Sequence, residues 1–291
     1  MRRKRGSLLQ GPYLVLVPVL ALVLLTYYGS VLWTIYISFT DSGLIPNYRL
    51  TGFAHYERLW SMDRWHTSVA NMLIFGSGYI ILTLLMGGLM AILLDRKARG
   101  ESIFRTIYLY PLSMSFIVTG VVWQWLLNPT TGVQAFVRGL GWDSFTFDWI
   151  GRPDRAIYTL VFAGVWHAAG YVMAILLAGL RGIDPEIWRA AQIEGIPTWR
   201  VYGSVVLPSI KATVATCVVL LVTHVVKAYD LVIAMTRGGP GTSTDLPAKF
   251  VVDAMFERGN VALGSAAAVT LLGIVAAVLV PFFLYQRRQA S

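Results

Sequence analysis

The chain has 291 residues, of which 56% are hydrophobic and only 13% charged, with a mean hydropathy of +0.62. Soluble domains carry charge at about a quarter of their positions, so this composition excludes an ordinary water-soluble fold. The net charge of +9 forms no basic stripe with interleaved aromatics; Lys and Arg sit at the ends of apolar blocks, as membrane topology signals do, which argues against a nucleic-acid binder.

The chain is expected to be an all-α polytopic membrane protein with six transmembrane helices in a single transmembrane domain over 1–291. Arg2-Arg3-Lys4-Arg5 precede a first span at 12–39, too long for a signal peptide and expected to remain uncleaved. A polar segment, 41–66, leads to a second span at 68–94 that ends in Asp95-Arg96-Lys97-Ala98-Arg99. The third span is expected over 103–127, running through Pro111. Asn128, Pro129 and Gly132 then open a loop to about 155, whose Trp142, Phe145, Phe147 and Trp149 suit the membrane interface. The fourth span lies at 156–180 and the fifth at 212–235, followed by the turn-rich connector from Thr236 to Thr244. A short amphipathic stretch, 246–258, precedes the sixth span at 261–285, which ends at Arg287 and Arg288.

Orientation follows from the basic residues. With the N-terminus inside, the inner segments hold the runs 2–5 and 96–99, then Arg105, Arg181, Arg189, Arg200, Lys211, Arg287 and Arg288, more than half of the 24 Lys and Arg. Both termini and the interval 181–211 then face the cytoplasm. That interval is the longest polar stretch in the second half. Asp184 is placed to cap a helix with Pro185 at its first position, where a missing N–H costs nothing. Ile187, Ala190, Ala191 and Glu194 fall three and four apart on one face. Gly195 ends the turn, and Pro197 and Thr198 restart the chain toward Trp199, Tyr202 and Val206 before Pro208.

The order Pro185-Glu186, Ala190-Ala191, Glu194-Gly195, then Trp199 and Leu207-Pro208, resembles the cytoplasmic "EAA" loop of binding-protein-dependent ABC importer permeases. Arg189 departs from that pattern by reversing the charge of its first acidic residue, and Glu194 replaces an Asp. Phe104, Arg105 and Pro111, Asn128-Pro129 with Gly132, and Thr236 with Gly238-Gly239-Pro240 and Thr244 are similar to the MalF-like sugar permeases. Pro247-Ala248-Lys249-Phe250-Val251 is similar to the subgroup that imports α-glucosides and related glycosides. The resemblance implies a type I importer permease fold whose coupling helix docks on an ATPase through Glu186, Arg189, Ala190, Ala191, Glu194 and Gly195. It implies a second homologous permease, two copies of an ABC ATPase that bind ATP and Mg, an extracytoplasmic solute-binding protein, and a place in the bacterial inner membrane.

No Gly-x-x-x-x-Gly-Lys-[Ser/Thr] occurs, so any ATP chemistry belongs to another subunit and no cofactor is expected on this chain. Gly238-Gly239-Pro240-Gly241 lacks the lysine of a phosphate loop and reads as a turn. His55, His66, His167 and His224 stand on different segments without a ligand partner at helical spacing, so no metal site is expected; no nucleophile elbow occurs either. Cys217, the single cysteine, lies in an apolar run and offers no disulfide. Transport without chemistry requires polar groups near the middle of the spans, where they are costly unless they face a partner or a cavity. His224, Lys227, Tyr229 and Asp230 in the fifth span form one such group, with Lys227 and Asp230 alternatively a self-neutralising structural pair. Trp123 with Gln124, and Trp166 with His167, combine an aromatic face for a sugar ring with a polar tip for its hydroxyls. Asn71 is a weaker candidate, placed to bond a neighbouring helix. An ion-coupled carrier using Lys227 and Asp230 is the alternative reading; a membrane enzyme would need a catalytic set that does not stand out.

Overall fold

The computed structural model describes residues 13–95 and 100–290. The basic runs 2–5 and 96–99 used for orientation fall outside them. In chain order the helices are α1 (Tyr13–Ile37), α2 (Ala54–Trp60), α3 (Asp63–Asp95), α4 (Glu101–Leu109), α5 (Phe116–Leu127), α6 (Val133–Gly139) and α7 (Ala156–Arg181). There follow α8 (Pro185–Ile193), α9 (Thr198–Val201), α10 (Leu207–Ser209), α11 (Lys211–Val226), α12 (Tyr229–Met235), α13 (Pro247–Val252) and α14 (Val261–Ala290). Among the described residues the only β-pairing is an isolated bridge between Thr40 and Leu50. Among the described residues four helices are long and apolar enough to cross a membrane: Leu16–Ile37, Asp63–Asp95, Ala156–Arg181 and Val261–Phe282. Two bent pairs, Glu101–Ser113 with Phe116–Leu127 and Thr198–Ser209 with Lys211–Val226, bring the number to six if each is one span.

The third expected span is not continuous. It bends by 100° between Ser113 and Phe116. Pro111 cannot donate to a helical ladder, and Tyr110–Ser113 tighten into a 3₁₀ turn. Met114 and Ser115 are extended, and the Ser115 hydroxyl accepts from Val118 N at 3.2 Å to start α5 afresh. The fifth expected span is interrupted as well. The Lys227 N–H closes α11 on Thr223 O, and Tyr229 N donates to Lys227 O at 2.7 Å around Ala228, whose φ of −74° and ψ of 46° describe an inverse γ-turn. The chain then restarts as α12.

The chain comprises two compact units, Met1–Ser61 with Val251–Gly273 and Met62–Phe250 with Ile274–Ser291. In the first, a hook after α1 is closed by Asp41 N to Arg49 O (2.9 Å), Thr51 N to Phe39 O (2.8 Å) and the Ser42 hydroxyl to Asn47 O (2.8 Å). Ala262 N donates to Ser42 O at 2.9 Å, fixing the hook to the start of α14.

The second unit is built on α3 and α7, which run parallel: Gly78 meets Val161, Tyr79 meets Gly164, and Gly87 meets Ala169 and Val172. Buried Phe75 and Tyr79 stack at 5.5 Å between ring centroids within this seam. On α7, Gly170 lies against the backbone of Tyr108, where an added Cβ would stand 1.8 Å from the carbonyl oxygen. Absence of a side chain is therefore what lets α4 cross α7. A similar approach, Gly120 against Ala234 and Leu231 O, seats α5 on α12.

Candidate functional site

The interval 181–211 forms a braced loop. The Asp184 carboxylate accepts from Glu186 N at 2.9 Å, with Pro185 as the first helical residue of α8. At the other end Ile196 N donates to Ala191 O (2.9 Å) and Gly195 N to Gln192 O (3.2 Å). With Gly195 at φ +65°, this is a Schellman closure, which satisfies the last carbonyls of the helix. Both ends of a nine-residue helix are thus fixed, although isolated helices of that length are marginal.

One side of α8 holds to its own chain. Ala191 is buried, and Trp188 packs edge-on against Tyr202 at 5.2 Å. The Tyr202 hydroxyl donates to Asp95 Oδ2 at 3.1 Å, so the loop is tied to the end of α3. The root of the loop is held too: Glu101 pairs with Arg181 at 2.8 Å and with Arg105. Glu186, Arg189, Ala190, Glu194 and Gly195 are exposed. So are Ile193, at 87%, and Trp199, with Arg200 stacked over it at 5.5 Å. Of the face read from spacing, Ile187, Ala190, Ala191 and Glu194 line a shallow recess together with Ile196, Val201 and Ser204.

The expected path residues separate into four groups. His167 and His224 come together around Phe116, whose ring lies 4.2 Å from His167 and 5.8 Å from His224. Thr119 Oγ1 bonds His167 Nδ1 at 3.1 Å, and Tyr79 bonds His224 Nδ1 at 3.2 Å. Gln124 is exposed and lines a recess of about 270 Å³ with Asn128, Ile150, Thr236 and Gly239. Trp123 and Trp166 meet edge-on at 5.7 Å, but Trp123 lines a cavity with Phe147, Trp149, Tyr158 and Phe162, where almost no polar atom is offered. The Trp123 indole nitrogen has no hydrogen-bond partner there.

Lys227 and Asp230 are both exposed, Tyr229 is partly so, and no ion pair joins Lys227 to Asp230. The turn at Ala228 separates them, with Lys227 just past the end of α11 and Asp230 within α12, so the helical spacing that would have stacked them does not apply. A self-neutralising pair is absent from this conformation.

Sequence reasoning missed Tyr79, Phe116 and Thr119, since an isolated aromatic or Thr in an apolar run carries no signal of its partners. It also missed the buried Asp245, which binds Arg64 at 2.5 Å and lies 3.8 Å from Lys249. Asn71 donates to the Thr242 and Asp245 carbonyls at 3.1 and 3.0 Å, holding the connector rather than a substrate. Within the connector, Thr236 and Thr244 hydroxyls bond at 2.7 Å and Thr244 also reaches Gly239 O. The Thr and Gly motif is thus a locked turn.

Apolar spans with a capped polar helix between two of them suit the transmembrane component of a transporter. Residues 80–288 match the family described as the binding-protein-dependent transport system inner membrane component, and the chain belongs to that family. It is 39% identical, over 94% of its length and 95% of the relative's, to a Pyrococcus horikoshii protein described as "Probable ABC transporter permease protein". It is 32% identical to the xylose/arabinose import permease XacH of Haloferax volcanii, covering 93% of this chain and 86% of that one. The trehalose/maltose permease MalF of Thermococcus litoralis is 26% identical, with 90% and 89% covered. Among solved structures, a bacterial ABC transporter involved in alginate import has the same fold, with a TM-score of 0.83 over 95% of this chain and 94% of that one at 18% identity. The chain is therefore a membrane-spanning ABC importer permease, a non-catalytic component, and the ion-coupled alternative finds no support.

Proposed function

We propose that this permease carries a sugar or glycoside inward through a type I ABC importer. It pairs with a second homologous permease and two copies of an ABC ATPase that bind ATP and Mg, and it receives substrate from an extracytoplasmic solute-binding protein. The substrate class rests on the sugar permeases among its relatives and on the MalF-like motifs; the α-glucoside or related glycoside class rests on 247–251. In a bacterial inner membrane both termini and 181–211 face the cytoplasm.

The observation that carries the mechanism is α8, braced at both ends and at its root yet exposed along Glu186, Arg189, Ala190, Ile193 and Glu194. Ala191 and Gly195 shape the same helix from within and at its end. A helix so fixed moves as a body when an ATPase groove pulls on it, and the motion passes directly into α7 and α11. The interior groups that meet the sugar are His167 and His224 around Phe116, with Lys227, Tyr229 and Asp230 around the break in the fifth span. Gln124 takes part from the Thr236 recess, and Trp123 and Trp166 from the aromatic face. Polar tips flanked by ring faces suit a polyhydroxylated ring, which offers hydroxyls at its edge and C–H groups on its face.

The test is uptake of labelled sugars by proteoliposomes that hold both permeases, the ATPases and the binding protein. Uptake that requires ATP and fails with an ATPase inactive in hydrolysis is expected. Uptake driven by a proton or sodium gradient alone would sink the proposal.

A further inference from the structure

The hook after α1 exposes more apolar surface than an aqueous loop tolerates. Leu44 is 70% exposed, Ile45 85%, Leu50 68% and Phe53 67%. Between Ser38 and Tyr56 the only Asp, Glu, Lys or Arg residues are Asp41 and Arg49, of opposite sign. Contiguous patches of this kind mark a contact with another apolar phase.

Three observations identify that phase. The hook is continuous with the end of a span: Tyr48 packs on Trp33 at 6.1 Å and on Tyr36 at 6.4 Å, both in the last two turns of α1. The exposed residues therefore stand at the depth where α1 leaves the hydrocarbon. Aromatic rings gather beside them, with Phe39, Phe53 and Tyr56 within 5.3–5.9 Å of one another, and Trp and Tyr favour the boundary between headgroups and acyl chains. Finally, part of the hook's backbone is bonded within it, through Asp41 to Arg49, Thr51 to Phe39, Asn47 to Ser42 and Arg49 to the Asn47 side chain. Backbone bonded in this way can leave water at little cost.

We propose that residues 39–53 form an interfacial anchor, which seats Leu44, Ile45 and Leu50 in the headgroup–acyl boundary of the leaflet where α1 ends. The occupant of this surface is lipid. The anchor holds α1 at a fixed depth.

The test attaches an environment-sensitive fluorophore to Ile45→Cys and, separately, to Leu50→Cys in the assembled transporter in lipid vesicles. The native cysteine, Cys217, is buried, and the unsubstituted protein supplies the background. Emission shifted to the blue, quenched by phospholipid spin-labelled near the headgroup and unaffected by aqueous iodide, is expected at both positions. Iodide quenching that the solute-binding protein relieves would assign the surface to that protein instead. Insensitivity to both quenchers would place it under the second permease, and either result overturns the anchor. ATP-driven uptake measured in the same vesicles reports on the transport reading independently.

Discussion

Gly195 combines a φ of +65° with open space: nothing lies within 4 Å of where a Cβ would stand. The demand at this position is conformational rather than steric. Forcing an ordinary side chain into the left-handed region costs roughly 1–2 kcal/mol, less for Asn and Asp, which is about 5–30-fold in the population of the closed cap. Gly195→Val should therefore lower sugar imported per ATP hydrolysed, while Gly195→Asn keeps most of it. Gly195→Asp then isolates the effect of a new charge on the docking face. Equal coupling in all three variants, measured with assembled complex, would remove Gly195 from the coupling role. Lys227 and Asp230 yield a second expectation. Because no ion pair joins them, Lys227→Ala and Asp230→Ala should each lower uptake, and the double variant should recover nothing. Near-normal uptake in the double variant would restore the structural pairing. Sequence spacing suggested that pair since three residues make a face on an unbroken helix; the γ-turn at Ala228 has no composition cue and stayed hidden.

Short-range chemistry made some elements legible and left others obscure. Asp184, Pro185 and Gly195 announce α8 because caps act on the residues beside them, and the helix lies where they put it. Asp184→Ala should cost about 1 kcal/mol of local stability, read as faster amide exchange across 186–190 with the α7 amides unchanged. The bend before α5 was less visible. Pro111 can be carried within a membrane helix, and only the conjunction with extended Met114 and the Ser115 cap turns the chain by 100°. The crossing of α4 over α7 was not legible at all, because Gly170 reads as one more small residue in an apolar run. Gly170→Val should drive its new side chain into the Tyr108 carbonyl and cost about 1–3 kcal/mol or more, as overpacking does. A lower melting temperature of the detergent-solubilised complex is the expected result; an unchanged one would mean that α4 shifts freely.

Across the whole molecule, apolar blocks and basic flanks were enough to expect six crossings, because bilayer thickness imposes its length on every span. The proposed orientation, with 181–211 in the cytoplasm, makes a direct prediction. A membrane-impermeant maleimide should label Glu194→Cys in inside-out vesicles and not in intact cells; labelling in intact cells would invert the topology. What long-range packing decides, such as the meeting of His167 and His224 at Phe116, had no trace in the order of residues, since the partners lie on three separate helices. The position of His167 on α7 carries a mechanical consequence. The stretch from His167 to Arg181 is roughly 21 Å long at the helical rise of about 1.5 Å per residue. A tilt of ~5° pivoting at the Glu101–Arg181 bracket would sweep the imidazole sideways by ~2 Å over that length. That stroke approaches the length of a hydrogen bond, so, with His167 holding a sugar hydroxyl as proposed, a small tilt of α7 is enough to make or break that grip.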